Sequence, residues 1–123
     1  GFSLRLGENI NYCYPANAKQ NLICHISFEE FILADWTKNN LDFGYPMDVS
    51  SSIYPINNIL SLLENLTYDN PNYLEFQLDC NKQFLMNKPL LGMFKRSVAF
   101  CSPLNKVNLS SNNNRSSNDN KYS

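Results

Sequence analysis

The residues able to do acid–base or nucleophilic chemistry are few in this sequence, and they are not grouped as a catalytic site requires. His25 is the one histidine, and no nucleophile motif accompanies it that would make a Cys–His dyad. Glu29 and Glu30 are neighbours, and neighbouring residues on a strand point to opposite faces of the sheet. We therefore expect a solvated sheet edge here rather than a paired acid and base, and we predict a non-catalytic chain without a cofactor.

The cysteines offer a second kind of chemistry. They are Cys13, Cys24, Cys80 and Cys101, and none forms a Cys-x-x-Cys pair, so no zinc or other metal site is expected. Two alternatives remain open. Reduced thiols indicate a cytoplasmic domain, whereas two disulfides, most simply Cys13–Cys24 and Cys80–Cys101, indicate a secreted or surface domain.

The length and net charge of the chain further limit the classes of protein and of partner that are possible. The chain has 123 residues, a net charge of −1 and 43% hydrophobic residues, which is typical of one small globular domain. The near-neutral charge argues against nucleic acid as a partner. No apolar stretch approaches the roughly 20 residues that span a bilayer, so no transmembrane segment is expected. The remaining partner class is another protein.

The elements that must position these residues begin with strands. Phe2, Leu4 and Leu6 alternate with other residues, which predicts a short first strand. Alternation over residues 21–27 and the run 41–47 predict a strand pair separated by the turn residues Asn39-Asn40. Tyr73 to Asp79 alternates most cleanly, so we predict a strand there with Phe76 buried. Residues 97–100 are predicted to form a final strand.

Two helices are predicted between these strands. Pro55 is followed by Ile56, Ile59, Leu60 and Leu63, a spacing that favours an amphipathic helix of about ten residues opened by proline. Pro89 is expected to open a second short helix. From residue 105 onward the composition is polar and rich in Asn and Ser, which predicts disorder. The expected organisation is an α+β domain over residues 1–104 and a disordered tail over residues 105–123.

One block adds a resemblance to these patterns. The segment from Tyr73 to Leu90 has a strand pattern, a polar break, the pair Phe84-Leu85 and then Pro89-Leu90 opening a helix. Together with Tyr54-Pro55 at the first helix, it resembles the Ras-binding domain of class I phosphoinositide 3-kinase catalytic subunits over about residues 41–101. That family has a β-grasp, or ubiquitin-like, fold with a mixed sheet and helices on one face, which agrees with the predicted order of elements.

The resemblance implies a cytoplasmic regulatory domain that binds a small GTPase through a strand edge and the first helix. The implied partner-binding residues are Lys38, Asp42, Phe43, Tyr45 and Asn57. Lys38 would form the salt bridge, since it is the one basic residue between residues 21 and 81. The alternative is a disulfide-bonded secreted or surface domain that acts in adhesion or host–parasite contact.

Overall fold

A five-stranded mixed sheet forms the centre of the computed structural model, which describes residues 1–100. In chain order, its strands are Phe2–Ser3 (β1), His25–Ser27 (β4), Phe31–Asp35 (β5), Ser52–Ile53 (β6) and Leu90–Phe94 (β7). Across the sheet they lie in the order β4-β5-β7-β1-β6. A separate two-stranded ribbon pairs Tyr12–Cys13 (β2) with Ala18–Lys19 (β3). With its helices, the chain is a small α+β domain, as predicted, and the more specific β-grasp topology stays a prediction.

β7 lies in the middle of the sheet, where a helix was predicted. It runs parallel to β1 and antiparallel to β5, with Phe2 opposite Gly92 and Ile32 opposite Met93. Gly92 is required here, because a Cβ would lie only 2.5 Å from the Phe2 ring. The helix prediction from Pro89 was wrong because a short continuous apolar run suits a buried central strand equally well.

The first helix, α1, covers Ile56–Glu64, which confirms the predicted amphipathic helix. The second, α2, covers Pro71–Cys80 and replaces the strand predicted at residues 73–79, so that prediction was wrong. Asn70 is its N-cap and accepts a hydrogen bond from the Tyr73 amide over 2.9 Å, and Pro71 opens its first turn. Leu78 is buried whereas Phe76 is 59% exposed, because the two lie on different faces of the helix.

The segment after β5 forms two 3₁₀ turns, Trp36–Lys38 and Leu41–Gly44. The strand predicted at residues 41–47 was therefore wrong. Leu41 has a left-handed φ of 51°, and Gly44 is packed so closely that a Cβ would lie 2.7 Å from the Asn39 carbonyl oxygen. This tight turn breaks the extended backbone and directs Phe43 into the interior.

Two groups of buried side chains form the core. The first lies along the sheet and comprises Leu6, Ile32, Ala34, Trp36, Phe43, Leu91 and Met93. The second lies between the helices and comprises Met47, Leu62 and Leu78. Trp36 joins the sheet to the segment before β7, since its indole N–H donates to the Lys88 carbonyl over 3.0 Å. Met47 belongs to the second group and fixes one end of the loop described below.

The other predicted strand and domain boundaries agree only in part with the structure. β1 is shorter than the alternation over Phe2 to Leu6, and β4 occupies the end of the predicted strand at residues 21–27. Residues 97–100 are irregular, so the strand predicted there was wrong. The predicted tail at residues 105–123 and the domain end at residue 104 lie outside the described residues. In the part of the chain that is described, no helix is long and apolar enough to cross a membrane.

Candidate functional site

The residues from Tyr45 to Ser51, which precede β6 and are here called the Asp48 loop, are held to the start of the chain by a charged hydrogen bond. Arg5 Nε donates to Asp48 Oδ2 over 2.8 Å, and Arg5 Nη1 lies 3.5 Å from Asp42 Oδ1. Burial lowers the pKa of Arg5, but the two carboxylates outweigh it and the net pKa is raised. The guanidinium thus joins two acidic residues from one irregular segment.

Asp42 is also held by a buried amide side chain. Gln20 Nε2 donates to Asp42 Oδ2 over 2.8 Å, and the Asp42 backbone N–H donates to Gln20 Oε1 over 3.1 Å. Gln20 is only 3% exposed, so its amide is satisfied by this reciprocal pair rather than by water. The Asp42 carboxylate is therefore fixed in place by two different chain segments.

The backbone of the Asp48 loop is constrained as well. Asp48 Oδ1 accepts from the Ser50 amide over 2.7 Å, and the Ser51 carbonyl accepts from the Leu4 amide over 2.8 Å. Ser51 has φ 58°, a left-handed conformation that is uncommon outside glycine and costs of the order of 1 kcal/mol. Such strain persists where the surroundings dictate it, and it is common at functional sites.

Two tyrosines and a glutamate complete the cluster on the helix side. The Tyr54 hydroxyl lies 2.6 Å from the Asp48 carbonyl oxygen and 3.0 Å from that of Pro46. On α2, Glu75 Oε2 accepts from the Val49 amide over 3.3 Å. Burial, followed by the charge of Glu75, raises the pKa of Tyr45 well above its ordinary value. The neutral phenol thus remains available to donate a hydrogen bond to the Glu75 carboxylate.

Glu75 has an unusual environment for a surface helix. Burial raises its pKa, and the nearby Asp48 charge raises it further. The hydrogen bonds from Val49 and Tyr45 act in the opposite direction but are outweighed. A half-buried carboxyl group with increased proton affinity is a candidate for proton transfer. The Asp48 loop together with Arg5 and Glu75 is the candidate functional site.

The five residues predicted to bind a partner are distributed over different environments. Lys38 is exposed and pairs with Asp35 over 3.4 Å, while Asn57 lies exposed on α1. Asp42 is held by Arg5 and Gln20, and Phe43 is 1% exposed within the core. Tyr45 is half-buried beside Glu75. The predicted adjacent strand for Asp42, Phe43 and Tyr45 is absent from this segment.

Sequence reasoning missed Arg5, Gln20, Asp48 and Glu75. Each lies in a different part of the sequence, so spacing gave no sign that they would meet. One signal was present, since Asp42-Phe43-Gly44-Tyr45-Pro46-Met47-Asp48 places two acidic residues around a Gly and a Pro. Such breakers indicate an irregular segment, and functional side chains are common on irregular segments that a rigid scaffold positions.

The histidine and the cysteines are not part of the candidate site. His25 is exposed on the edge strand β4. Cys13, Cys24 and Cys80 are free thiols in the structure, which contains no Cys13–Cys24 disulfide among its described residues. Cys101 lies outside the described residues. Within residues 1–100, no group of three or more His, Cys, Asp or Glu side chains is arranged to hold a metal ion.

The chain is similar to a curated protein from Dictyostelium discoideum, a bifunctional glycosyltransferase called pgtA. The two are 29% identical over 110 residues, covering 72% of this chain but 14% of the relative. The chain thus spans only a small part of that protein's length. No protein-family model matches the chain, and no solved structure matches it.

Proposed function

We propose that this chain is a segment of a glycosyltransferase and that its Asp48 loop contributes to the sugar-binding side of the enzyme. The observation that carries the proposal is the 29% identity to the bifunctional glycosyltransferase over 72% of the chain. Because the chain spans 14% of that relative, the proposed role is a contribution to a larger catalytic domain.

The chemistry of the site supports this role. Sugar transfer requires groups that accept a proton from an acceptor hydroxyl and groups that orient other hydroxyls by hydrogen bonding. Glu75 has an increased proton affinity, and the Tyr45 phenol stays protonated beside it. The Arg5 guanidinium holds the Asp48 carboxylate, so the Asp48 loop is already fixed before a ligand binds. This pre-organisation reduces the entropic cost of binding.

A ligand titration tests this proposal on the chain itself. The amide shifts of the isotope-labelled chain are followed while nucleotide sugars and simple glycosides are added one at a time. We expect at least one compound to shift Val49, Ser50 and Glu75, and Tyr45→Phe to weaken its binding several-fold. Tyr68→Phe is the matched control, because Tyr68 is exposed outside the site. If the whole panel leaves the Asp48 loop unshifted, the sugar-binding proposal is wrong.

A second candidate function is docking of a small GTPase, and an open sheet edge favours it. Strand β4 lies at one end of the sheet, and its three residues His25, Ile26 and Ser27 are all exposed. An exposed edge offers backbone donors and acceptors to an added strand. We propose that β4 and Lys38 meet the partner together. Because Lys38 already pairs with Asp35, binding should be in the micromolar range or weaker, about −8 kcal/mol at best.

Shift mapping against GTP-loaded and GDP-loaded Ras-type proteins tests the second candidate. We expect the GTP form to shift β4 and residues 38–60, and Lys38→Glu to weaken the complex. Lys95→Glu serves as the comparison because Lys95 lies beyond β7 and is not among the implied partner-binding residues. Absence of shifts with either nucleotide form would eliminate GTPase docking.

A further inference from the structure

The five-stranded sheet has a second apolar face, on the side opposite the buried core. The core side chains Ile32, Ala34, Leu91 and Met93 point to one face of the sheet, and successive residues of a strand alternate between the two faces. The residues between them therefore point to the other face, here called the outer face. In register, the residues of this face form one row across all five strands: Ile26, Leu33, Gly92, Phe2 and Ile53.

Side-chain contacts agree with this row, and its two ends are open to solvent. A Cβ on Gly92 would lie 2.5 Å from the Phe2 ring, so the ring lies across the glycine on the outer face. The same ring packs edge-on against Phe94, with ring centroids 5.1 Å apart. At the two ends of the row, Ile26 is 61% exposed and Ile53 is 58% exposed. The described part of the chain therefore leaves both ends of the row uncovered.

Two further side chains widen the row into a patch. Phe31 is 37% exposed and Leu90 is 50% exposed, and the register places them on opposite sides of the row. Large apolar side chains present roughly 150–250 Å² each when fully exposed, so the exposed parts of this face add up to roughly 500 Å². A sheet face that lies in water normally carries alternating polar residues. The outer face has instead the composition of an interface.

The outer face also carries little charge. Among the residues of the five strands, Asp35 is the one ionisable residue that the register places on this face. Its carboxylate is paired with Lys38 over 3.4 Å and accepts from the Thr37 amide over 3.0 Å. The whole chain has a net charge of −1, so electrostatic repulsion between two copies is weak. A second copy can therefore cover the patch without burying an unpaired charge.

We propose that the outer face binds the outer face of a second copy of this chain, so that two sheets pack face to face in a symmetric dimer. Sheets that pack in this way lie about 10 Å apart, and their apolar side chains interdigitate. A patch of roughly 500 Å² on each copy buries about 1,000 Å² in total, which is the lower limit for a specific interface. The dimer is therefore weak and reversible. This inference does not require that the chain bind a sugar.

Analytical ultracentrifugation of the full 123-residue chain tests the dimer. We expect the mean mass to rise toward that of a dimer between about 10 µM and 1 mM, the range of a weak contact. Ile26→Lys and Ile53→Lys place a charge at opposite ends of the row, and each should weaken dimerisation at least tenfold. Ile56→Lys is the matched control, because Ile56 is 57% exposed but lies on α1, and it should dimerise like the wild type.

A second measurement on the wild-type chain covers the case in which a lysine variant fails to fold. On dilution, the amide shifts of Ile26, Phe31, Ile53 and Leu90 should change together. A chain that stays monomeric over the whole concentration range overturns the proposal. Dimerisation that is lost in Ile26→Lys but kept in Ile53→Lys also overturns it, because that result would indicate pairing through the edge strand β4 alone.

Discussion

Arg5 Nε donates a hydrogen bond to Asp48 Oδ2 over 2.8 Å, although 43 positions of sequence separate the two residues. The Asp48 side chain is only 9% exposed and that of Arg5 22%. This contact joins the segment that follows β1 to the irregular segment that carries the candidate site. The Arg5 guanidinium therefore fixes the Asp48 loop to the sheet together with the backbone hydrogen bond from the Leu4 amide to the Ser51 carbonyl.

Removal of that cation should destabilise the fold strongly. Arg5→Ala leaves Asp42 and Asp48 without their cationic partner, and breaking a largely buried ion pair costs about 3 kcal/mol or more in free energy of unfolding. Lys82→Ala is the control, because its pair with Asp79 is half-exposed and such pairs contribute about 0–1 kcal/mol. Urea denaturation measures both changes. Equal losses in the two variants would contradict a structural role for the Arg5–Asp48 contact.

The two faces of α2 should respond differently to truncation. Leu78 is 4% exposed and packs in the second core group, so Leu78→Ala should cost about 2–5 kcal/mol. Phe76 is 59% exposed, so Phe76→Ala should cost less than about 1 kcal/mol. Thermal or chemical unfolding compares the variants. A larger loss for Phe76 would support the strand predicted from alternation and would contradict the helix.

The thiols should differ in reactivity. Cys13 is buried, and burial raises its pKa, so it has less of the thiolate that reacts with alkylating agents. Cys24 and Cys80 are exposed and should react much faster at pH 8. Timed alkylation followed by peptide mass analysis separates the sites. Comparable rates for Cys13 and Cys24 in the folded chain would show that Cys13 is accessible.

Stability should depend on pH through Glu75. Its folded-state pKa is raised above the ordinary value of 4.5, so the folded state binds a proton more tightly than the unfolded state. The resulting stabilisation is complete below pH 4.5 and is lost as pH rises through the folded-state pKa. We expect the free energy of unfolding of Glu75→Gln to increase relative to that of the wild type as the pH rises from 4 to 7. A constant difference between the two across this range would contradict the raised pKa.

The sequence predicted the parts of the fold that local patterns determine. The α1 helix followed from Pro55 and the spacing of Ile56, Ile59 and Leu63. The α+β class followed from the presence of both helical and strand periodicity in the apolar residues. The α2 helix was missed because Leu74 and Leu78 fit a helical face and a strand face equally. Asn70-Pro71 carries the deciding helix-capping signal.

The candidate site was not predictable in the same way. Arg5 and Asp48 meet because β1, which precedes Arg5, pairs with β6, which follows Asp48 in the chain. The charges of Asp42 and Asp48 were visible in the sequence, whereas their shared partner depends on long-range pairing. The resemblance implied an interface position for Phe43, and the tight turn at Leu41–Gly44, which directs the ring inward, left no clear pattern in the sequence.

In the proposed function, this chain is part of a sugar-transferring enzyme. The most direct test of this proposal is sugar transfer by the full-length polypeptide that carries the chain, measured with labelled nucleotide sugars and simple glycoside acceptors. We predict transfer from at least one donor, with a loss of at least tenfold in kcat/KM for Glu75→Gln and no loss for Glu64→Gln. A folded polypeptide that transfers no sugar from any donor, or transfers it equally well with Glu75→Gln, would contradict this account of the site.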